Sequence, residues 1–200
     1  MKNDSTLDFY NKNANSFSNG TLDVDFSDIQ DKFLSYFPMG SLILDFGCGS
    51  GRDTLYFLNK GMNVDAIDGS EALCKIASKN TGITVKHMLF HELSESEKYD
   101  GIWACASILH LPKDELKDVL RKMILSLKLG GYIYTSFKYG DAEGYRGNRY
   151  FTDFTENSFK EFIAGFSSVS VIDQNVTCDV RPGRENEKWL NLIMQKSDTV

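Results

Sequence analysis

Residues 42–53 constrain this chain more than any other stretch: L-I-L-D-F-G-C-G-S-G-R-D. An apolar run leads to one carboxylate, three glycines follow on alternate positions, and polar residues then open toward a helix. In an α/β sheet this is how a nucleotide site is built. Glycine lets the backbone turn tightly and approach a ligand, and the start of the helix offers N–H groups with no partner of their own.

The rest of the chain reads as support for that turn. Phe26, Ile29, Phe33, Leu34 and Phe37 share one helical face, which Pro38-Met39-Gly40 ends. Residues 42–46 predict a strand buried on both faces, because the apolar run is nearly continuous. A helix over 52–60, a strand over 63–67, a helix from the cap Ser70 through Lys79 and a strand over 83–88 follow. A fourth strand is expected over 99–105. The helix at 113–127 carries a stripe of Leu116, Val119, Leu120, Met123, Ile124 and Leu127. Leu129-Gly130-Gly131 turns into a strand over 132–137, and Thr155 opens a helix bearing Phe159, Phe162 and Ile163. Two last strands, around 168–173 and 189–195, have only a turn-rich connection, which predicts an antiparallel hairpin at one edge of the sheet. Alternating strand and helix through residue 137 predicts parallel β-α-β units.

Two segments stand outside this alternation. Residues 1–22 are polar, with Phe9, Tyr10 and Phe17 as isolated aromatics, a segment expected to be loose by itself and to dock through those rings. Residues 138–154 are long for a connection and are expected as a loop on the substrate side. At 200 residues the chain is expected to be a single domain over 1–200, with 1–38 as an N-terminal lid and helix segment.

A net charge of -6 argues against a nucleic-acid partner, since phosphate binding wants a basic surface. A small substrate, cationic or neutral, fits better. Cys48, Cys74, Cys105 and Cys178 are far apart with no C-x-x-C pair, which reads as reduced thiols in a cytoplasmic protein. The N-terminus lacks the apolar region of a secretory signal, and no apolar run is long enough to span a bilayer. The expectation is a protein with no membrane partner, a monomer or weak homodimer.

The glycine spacing narrows the ligand. A dinucleotide fingerprint is G-x-G-x-x-G, whereas Gly47-x-Gly49-x-Gly51 brings the third glycine one residue early. Asp45, just before the turn, would repel a pyrophosphate and favour a ligand carrying an ammonium and a sulfonium. S-adenosylmethionine has both. Asp68, ending the second strand, is placed to accept hydrogen bonds from a ribose diol.

With these residues in view, the sequence resembles the class I S-adenosylmethionine-dependent methyltransferases, over about residues 33–137 and then the terminal hairpin. L-D-F-G-C-G-S-G-R-D, Y-D-G-I-W-A-C-A-S-I-L-H-L and L-K-L-G-G are most similar to small bacterial stand-alone members, including tellurite-resistance-type ones. The resemblance implies a three-layer, Rossmann-like α/β sandwich whose seven-stranded, mostly parallel sheet has the order 3-2-1-4-5-7-6, strand seven antiparallel. It implies S-adenosyl-L-methionine as cofactor and S-adenosyl-L-homocysteine as product. Asp45, Gly47, Gly49 and Gly51 would surround the methionine part and ribose, and Asp68 would hold the ribose hydroxyls with Gly69 and Ser70 beside it. Many members place an acid near the adenine amino group. Here that stretch is Met88-Leu89-Phe90-His91, leaving Leu89 or Phe90 to pack on the ring. Ala104, Cys105 and Ala106 would border the sulfonium.

Other residues keep two readings. Arg52 reaches a ligand anion, or it is a solvated or ion-paired arginine. His110 is the acid–base candidate, or a structural histidine at a helix start. Arg146, Arg149, Tyr150 and Asp153 line a substrate pocket, or belong to a solvated loop. Tyr10 and Phe17, with Phe9, form part of a lid in the functional reading. His87 and His91 show no third ligand, so no metal is expected. Cys48 and Cys105 lack a neighbouring base and read as small packing residues. The activity expected is direct methyl displacement onto a small-molecule acceptor. The alternatives are an aminopropyl transferase or NAD-dependent oxidoreductase on a related sheet, or a non-catalytic S-adenosylmethionine-binding module.

Overall fold

The structure, a computed structural model, describes residues 5–198; the ends of the expected 1–200 domain, 1–4 and 199–200, lie outside the described residues. Nine strands are described: β1 Leu42–Phe46, β2 Asn63–Asp68, β3 Lys86–His87, β4 Tyr99–Ala104, β5 Leu127–Lys138, β6 Glu143–Arg146, β7 Arg149–Thr152, β8 Val169–Cys178 and β9 Lys188–Lys196. The helices are α1 Ser5–Asn19, α2 Ser27–Leu34, α3 Arg52–Asn59, α4 Glu71–Thr81, α5 Lys113–Ser126 and α6 Glu156–Ile163.

Seven strands form one sheet in the order β3-β2-β1-β4-β5-β9-β8. The pairings β1–β2, β1–β4, β2–β3 and β4–β5 are parallel, while β9 runs antiparallel to both β5 and β8. β9 and β8 occupy the places expected of the seventh and sixth strands, so the sheet agrees with the order 3-2-1-4-5-7-6.

Period-two alternation explains why the strands read as unbroken apolar runs. Leu44, Phe46, Ile102, Ala104, Ile133, Leu192 and Met194 point into one core, against α5 and α6. Ile43, Trp103, Tyr134 and Ile193 point into the other, against Phe33 of α2 and Phe57 of α3. On the second side α4 adds Cys74 and Ala77 against Ala66 and Val85. A strand covered on both faces has no solvent-facing residue to break the run, and three layers result.

Local chemistry sets the helix ends. Ser70 Oγ accepts from the N–H of Leu73 and starts α4; Thr155 Oγ1 accepts from the N–H of Ser158 and starts α6. Gly82, at φ 75°, ends α4 in the left-handed conformation that favours glycine.

The structure differs from the sequence reading in three places. The third strand is only Lys86–His87, both exposed, because it pairs with nothing beyond Ile67 and Asp68 at the edge. Residues 138–154 are not a plain loop: β6 and β7 pair as a hairpin around Gly147-Asn148, with Gly147 at φ 61°. The N-terminal segment is a helix, kinked at Asn13. Among the described residues no helix is long and apolar enough to cross a membrane.

Phe33 is fully buried between Phe37, Phe57, Trp103 and Tyr134. Phe33→Ala is expected to lower unfolding stability by about 3–5 kcal/mol, read as a lower urea midpoint at unchanged slope. Leu129→Ala, at a side chain 56% exposed, is expected to stay within about 0.5 kcal/mol of the parent.

Candidate active site

A cavity of about 1480 Å³ opens beyond the C-terminal ends of the parallel strands, the end at which α/β sheets bind ligands. Its floor is the glycine turn between β1 and α3. Gly47, Gly49 and Gly51 have φ of 90°, 57° and 84°. Two of them are also sterically required. A Cβ on Gly47 would lie 2.5 Å from Cβ of Ser107, and one on Gly51 would lie 2.8 Å from Cγ2 of Thr81 on α4. The N–H groups of Gly47 and Cys48 both donate to the Ile67 carbonyl, at 3.0 and 2.9 Å, which ties the turn to β2.

Three acids stand around the turn in different roles. Asp68 lines the cavity; its Oδ2 accepts from Gly49 N at 2.9 Å and its Oδ1 from Ser70 N at 2.7 Å. Burial pushes its carboxyl up, and those two N–H groups pull against the shift. Asp45 corrects the sequence reading. It lies beneath the turn, does not line the cavity, and accepts from Thr54 Oγ1 at 2.6 Å. Burial, and then the neighbouring Asp53, push it up and disfavour its charged form, so its contribution is to hold the strand end. Asp53 is the third. It accepts from Gln30 Nε2 at 2.7 Å, Trp103 Nε1 at 2.8 Å, and Arg52 Nε and Nη2 at 2.7 and 2.9 Å. Arg52 lines the cavity, but this bidentate pair already claims its charge, and it rests over the ring of Phe26.

After β4 the chain makes a strained turn. Ala106 has φ 49°, a region costly for a residue with a Cβ, held by its N–H donating to Ser136 Oγ at 2.9 Å. Ser107 Oγ then donates to the Phe46 carbonyl at 2.7 Å. This turn delivers His110 to the cavity. Its Nδ1 is 2.6 Å from the Tyr150 carbonyl, which only an N–H can satisfy, so Nε2 is left to accept from the Tyr10 hydroxyl at 2.8 Å. Burial pushes the His110 imidazole down to about 4, so it is neutral near pH 7. Burial likewise pushes the Tyr10 hydroxyl up, against the pull of Arg149.

α1 and the β6–β7 hairpin close over the cavity from opposite sides. Phe17 sits where a Cβ on Gly49 would come within 3.1 Å of its ring, and Leu7 where one on Gly69 would come within 2.8 Å. Asn11 Oδ1 accepts from Ser70 Oγ at 2.7 Å, and Tyr150 N donates to Thr6 Oγ1 at 3.1 Å. α1 therefore bridges α4 to β7.

The cavity wall brings together Gly47, Gly49, Arg52, Asp68 and Gly69 with Leu89, Phe90 and Cys105. At its other end stand Tyr10, Phe17, His110, Arg146, Arg149 and Tyr150. Asp45, Gly51, Ser70 and Ala104 stand behind the wall: Gly51 meets α4, Ser70 caps α4, and Ala104 points into the core. Sequence reading passed over Ser107 and Ser136, and also the β8–β9 connection, which contributes Asp179 and Arg181 beside Trp189 of β9. Nothing in the local pattern marks that connection, because only the antiparallel insertion of β9 beside β5 carries it to the cavity. Among the described residues no group of His, Cys, Asp and Glu is arranged to hold a metal ion.

Comparison with known proteins agrees with this geometry. Residues 43–131 match the family described as a methyltransferase domain. An uncharacterized methyltransferase of Staphylococcus carnosus (strain TM300) is 24% identical over 189 residues, 86% of this chain and 91% of the relative. Among solved structures, the Burkholderia thailandensis 1,6-didemethyltoxoflavin-N1-methyltransferase, with 1,6-didemethyltoxoflavin and S-adenosylhomocysteine bound, superposes with a TM-score of 0.79 at 19% identity, covering 96% of this chain and 87% of that one. The N-methyltransferase NodS of Bradyrhizobium japonicum, in complex with S-adenosyl-l-homocysteine, superposes with a TM-score of 0.71 at 14% identity, covering 94% and 98%. The matched stretch, the sheet order and the glycine turn together make the chain similar to the S-adenosylmethionine-dependent methyltransferases, whose fold it shares.

Proposed function

We propose that the protein transfers the methyl group of S-adenosyl-L-methionine to a small-molecule acceptor held between the glycine turn and the β6–β7 hairpin. One observation carries the reading: one end of the cavity is built on backbone and Asp68, which suits a nucleoside, and the other is roofed by α1 and the hairpin, which are hydrogen-bonded to each other. A roofed cavity suits a compact acceptor. The Burkholderia relative, with a small heterocycle beside its S-adenosylhomocysteine, supports the same division.

The residues present fit the cofactor. Gly47 and Gly49 leave the backbone bare at the floor, and Asp68 offers carboxylate oxygens to a ribose diol, with Gly69 beside it. Phe90, tilted against Phe46 at 4.7 Å, and Leu89 supply an apolar wall for a purine. Cys105 borders the region nearest the acceptor end. A pyrophosphate fits worse. Arg52, the cation beside the turn, is already neutralised by Asp53, and Asp68 would face the phosphates; this weighs against a nicotinamide dinucleotide. When bound, S-adenosylmethionine supplies an electrophilic methyl on a sulfonium. The chain's own work is to align the acceptor and exclude water, which α1 and the hairpin do as a roof. Tyr10 gives its proton to His110, so its oxygen faces the acceptor end as a hydrogen-bond acceptor, suited to an N–H or O–H of the substrate.

Asp68→Asn is expected to weaken S-adenosylhomocysteine binding roughly 10- to 100-fold by calorimetry; unchanged affinity would reject its assignment to the ribose. Deleting residues 1–22 is expected to weaken the same binding about tenfold, near the worth of one buried apolar side chain, and full affinity in the truncated protein would end the lid assignment. His110 gives a pH signature. An unfolded chain protonates its histidine as pH falls through about 6.5, while the folded protein resists until about 4. Acid between those values therefore favours unfolding. The contribution is whole above the upper value and gone below the lower one, a change of roughly 2–3 kcal/mol. Urea melts at pH 7.5 and pH 5 should show a larger loss in the parent than in His110→Gln; equal losses would count against a buried neutral imidazole.

A further inference from the structure

The acceptor end of the cavity carries more positive charge than a chain of net charge -6 would suggest. Most of that charge is already matched. Arg181 makes a bidentate pair with Asp179, at 2.8 and 2.5 Å. Arg146 bonds to Asp153, and Lys138 bonds to Glu187. Arg149 differs. Among the described residues no carboxylate lies within ion-pair distance of it, and its one hydrogen bond, to the Tyr10 hydroxyl, is long at 3.5 Å. Its guanidinium rests on the ring of Phe9 at 4.7 Å and that of Phe151 at 5.1 Å.

The hairpin register sharpens this. Arg146 and Arg149 are direct cross-strand partners. Like charges placed opposite each other repel, and Asp153 answers only one of them. A ring face does not take the place of a carboxylate on the guanidinium, whose N–H fork suits a planar, forked anion. A single guanidinium charge calls for one negative charge, which suits a carboxylate better than a phosphate dianion.

We propose that the acceptor is a small organic molecule bearing a carboxylate, which Arg149 seats at the hairpin end of the cavity. The proposal rests on the methyltransferase reading and names the substrate class of the same site. Arg149 fixes the acid group, and the Tyr10 oxygen beside it is free to take a substrate N–H or O–H. Tyr10 and Phe151, which line the cavity there, favour an aromatic acid.

The test uses 2-aminobenzoate and its uncharged counterpart 2-aminobenzamide, titrated calorimetrically into protein saturated with S-adenosylhomocysteine. The parent is expected to bind the acid at least about tenfold more tightly than the amide, the worth of a charge-assisted bidentate contact. Arg149→Gln should abolish that preference while keeping its S-adenosylhomocysteine affinity, which shows that the variant is folded. Arg121→Gln removes the same charge from α5, outside the cavity wall, and should keep the preference. Equal affinity for acid and amide in the parent, a preference that survives in Arg149→Gln, or no binding of either probe would overturn the proposal. Failure of the parent to bind S-adenosylhomocysteine would strike the methyltransferase reading instead; the two probes are then compared on the protein alone, and the same criterion decides.

Discussion

The buried carboxylate of Asp53 is the constraint on which the site depends. A charge in a protein interior is costly unless it is paired and fully hydrogen-bonded. Here the donors come from three directions: Gln30 on α2, Arg52 at the start of α3, and Trp103 on β4. Satisfying one carboxylate therefore ties α2 and the start of α3 to the central strand β4. Trp103 is held in turn by Tyr134 stacked at 3.9 Å, so the indole cannot swing away from its acceptor. The same charge acts on Asp45, which responds by favouring its neutral form and bonding to Thr54. Of the two acids in the motif, the one expected to face the ligand supports the strand, and the one beyond the last glycine organises the turn.

That inversion shows what a sequence pattern carries. Strand positions were legible because burial on both faces leaves a run of apolar letters, and Leu44 to Phe46 or Ile102 to Ala104 can be read with no knowledge of their neighbours. The glycines were legible because positive φ and close approach both forbid a side chain. The direction an acid points is a different kind of fact. Asp45 and Asp53 differ in which neighbours arrive from α2 and β4, and nothing local records that. The β6–β7 hairpin did leave a signal, Gly147-Asn148 between two short runs containing Tyr and Arg. It was hidden because β6 is mostly exposed and neither run shows apolar alternation. α1 is similar: the residues it buries are Thr6, Ala14 and Ser18, too small and polar to imprint an apolar stripe.

The two ends of the cavity are consequently specified by different physics. The end at the glycine turn belongs to the sheet: strand termini, backbone N–H groups and one carboxylate, all placed by the central core. The opposite end belongs to additions at the periphery, namely α1, the hairpin and the β8–β9 connection. Polar bonds hold these parts together. Asp179 is the anchor of the last of them. Burial works against its charge, but Arg181 outweighs burial and keeps its carboxyl well below the usual range, with Trp189 adding a further N–H at 3.0 Å. A self-neutralised network of this kind fixes the wall without offering its charge to a ligand.

Arg149 takes its meaning from that contrast. The cations beside it are spent on structure, each held by a carboxylate of the chain itself. At Arg149 the chain supplies aromatic rings and the Tyr10 hydroxyl instead, the latter already giving its proton to His110. The hydrogen-bond order from Tyr150 through His110 to Tyr10 is fixed by the imidazole tautomer, so the roof, the hairpin and the turn after β4 meet at one polar point beside an unmatched charge. In a protein that otherwise pairs the arginines around this cavity, a cation with no carboxylate partner among the described residues is the feature that the proposed acid acceptor would answer.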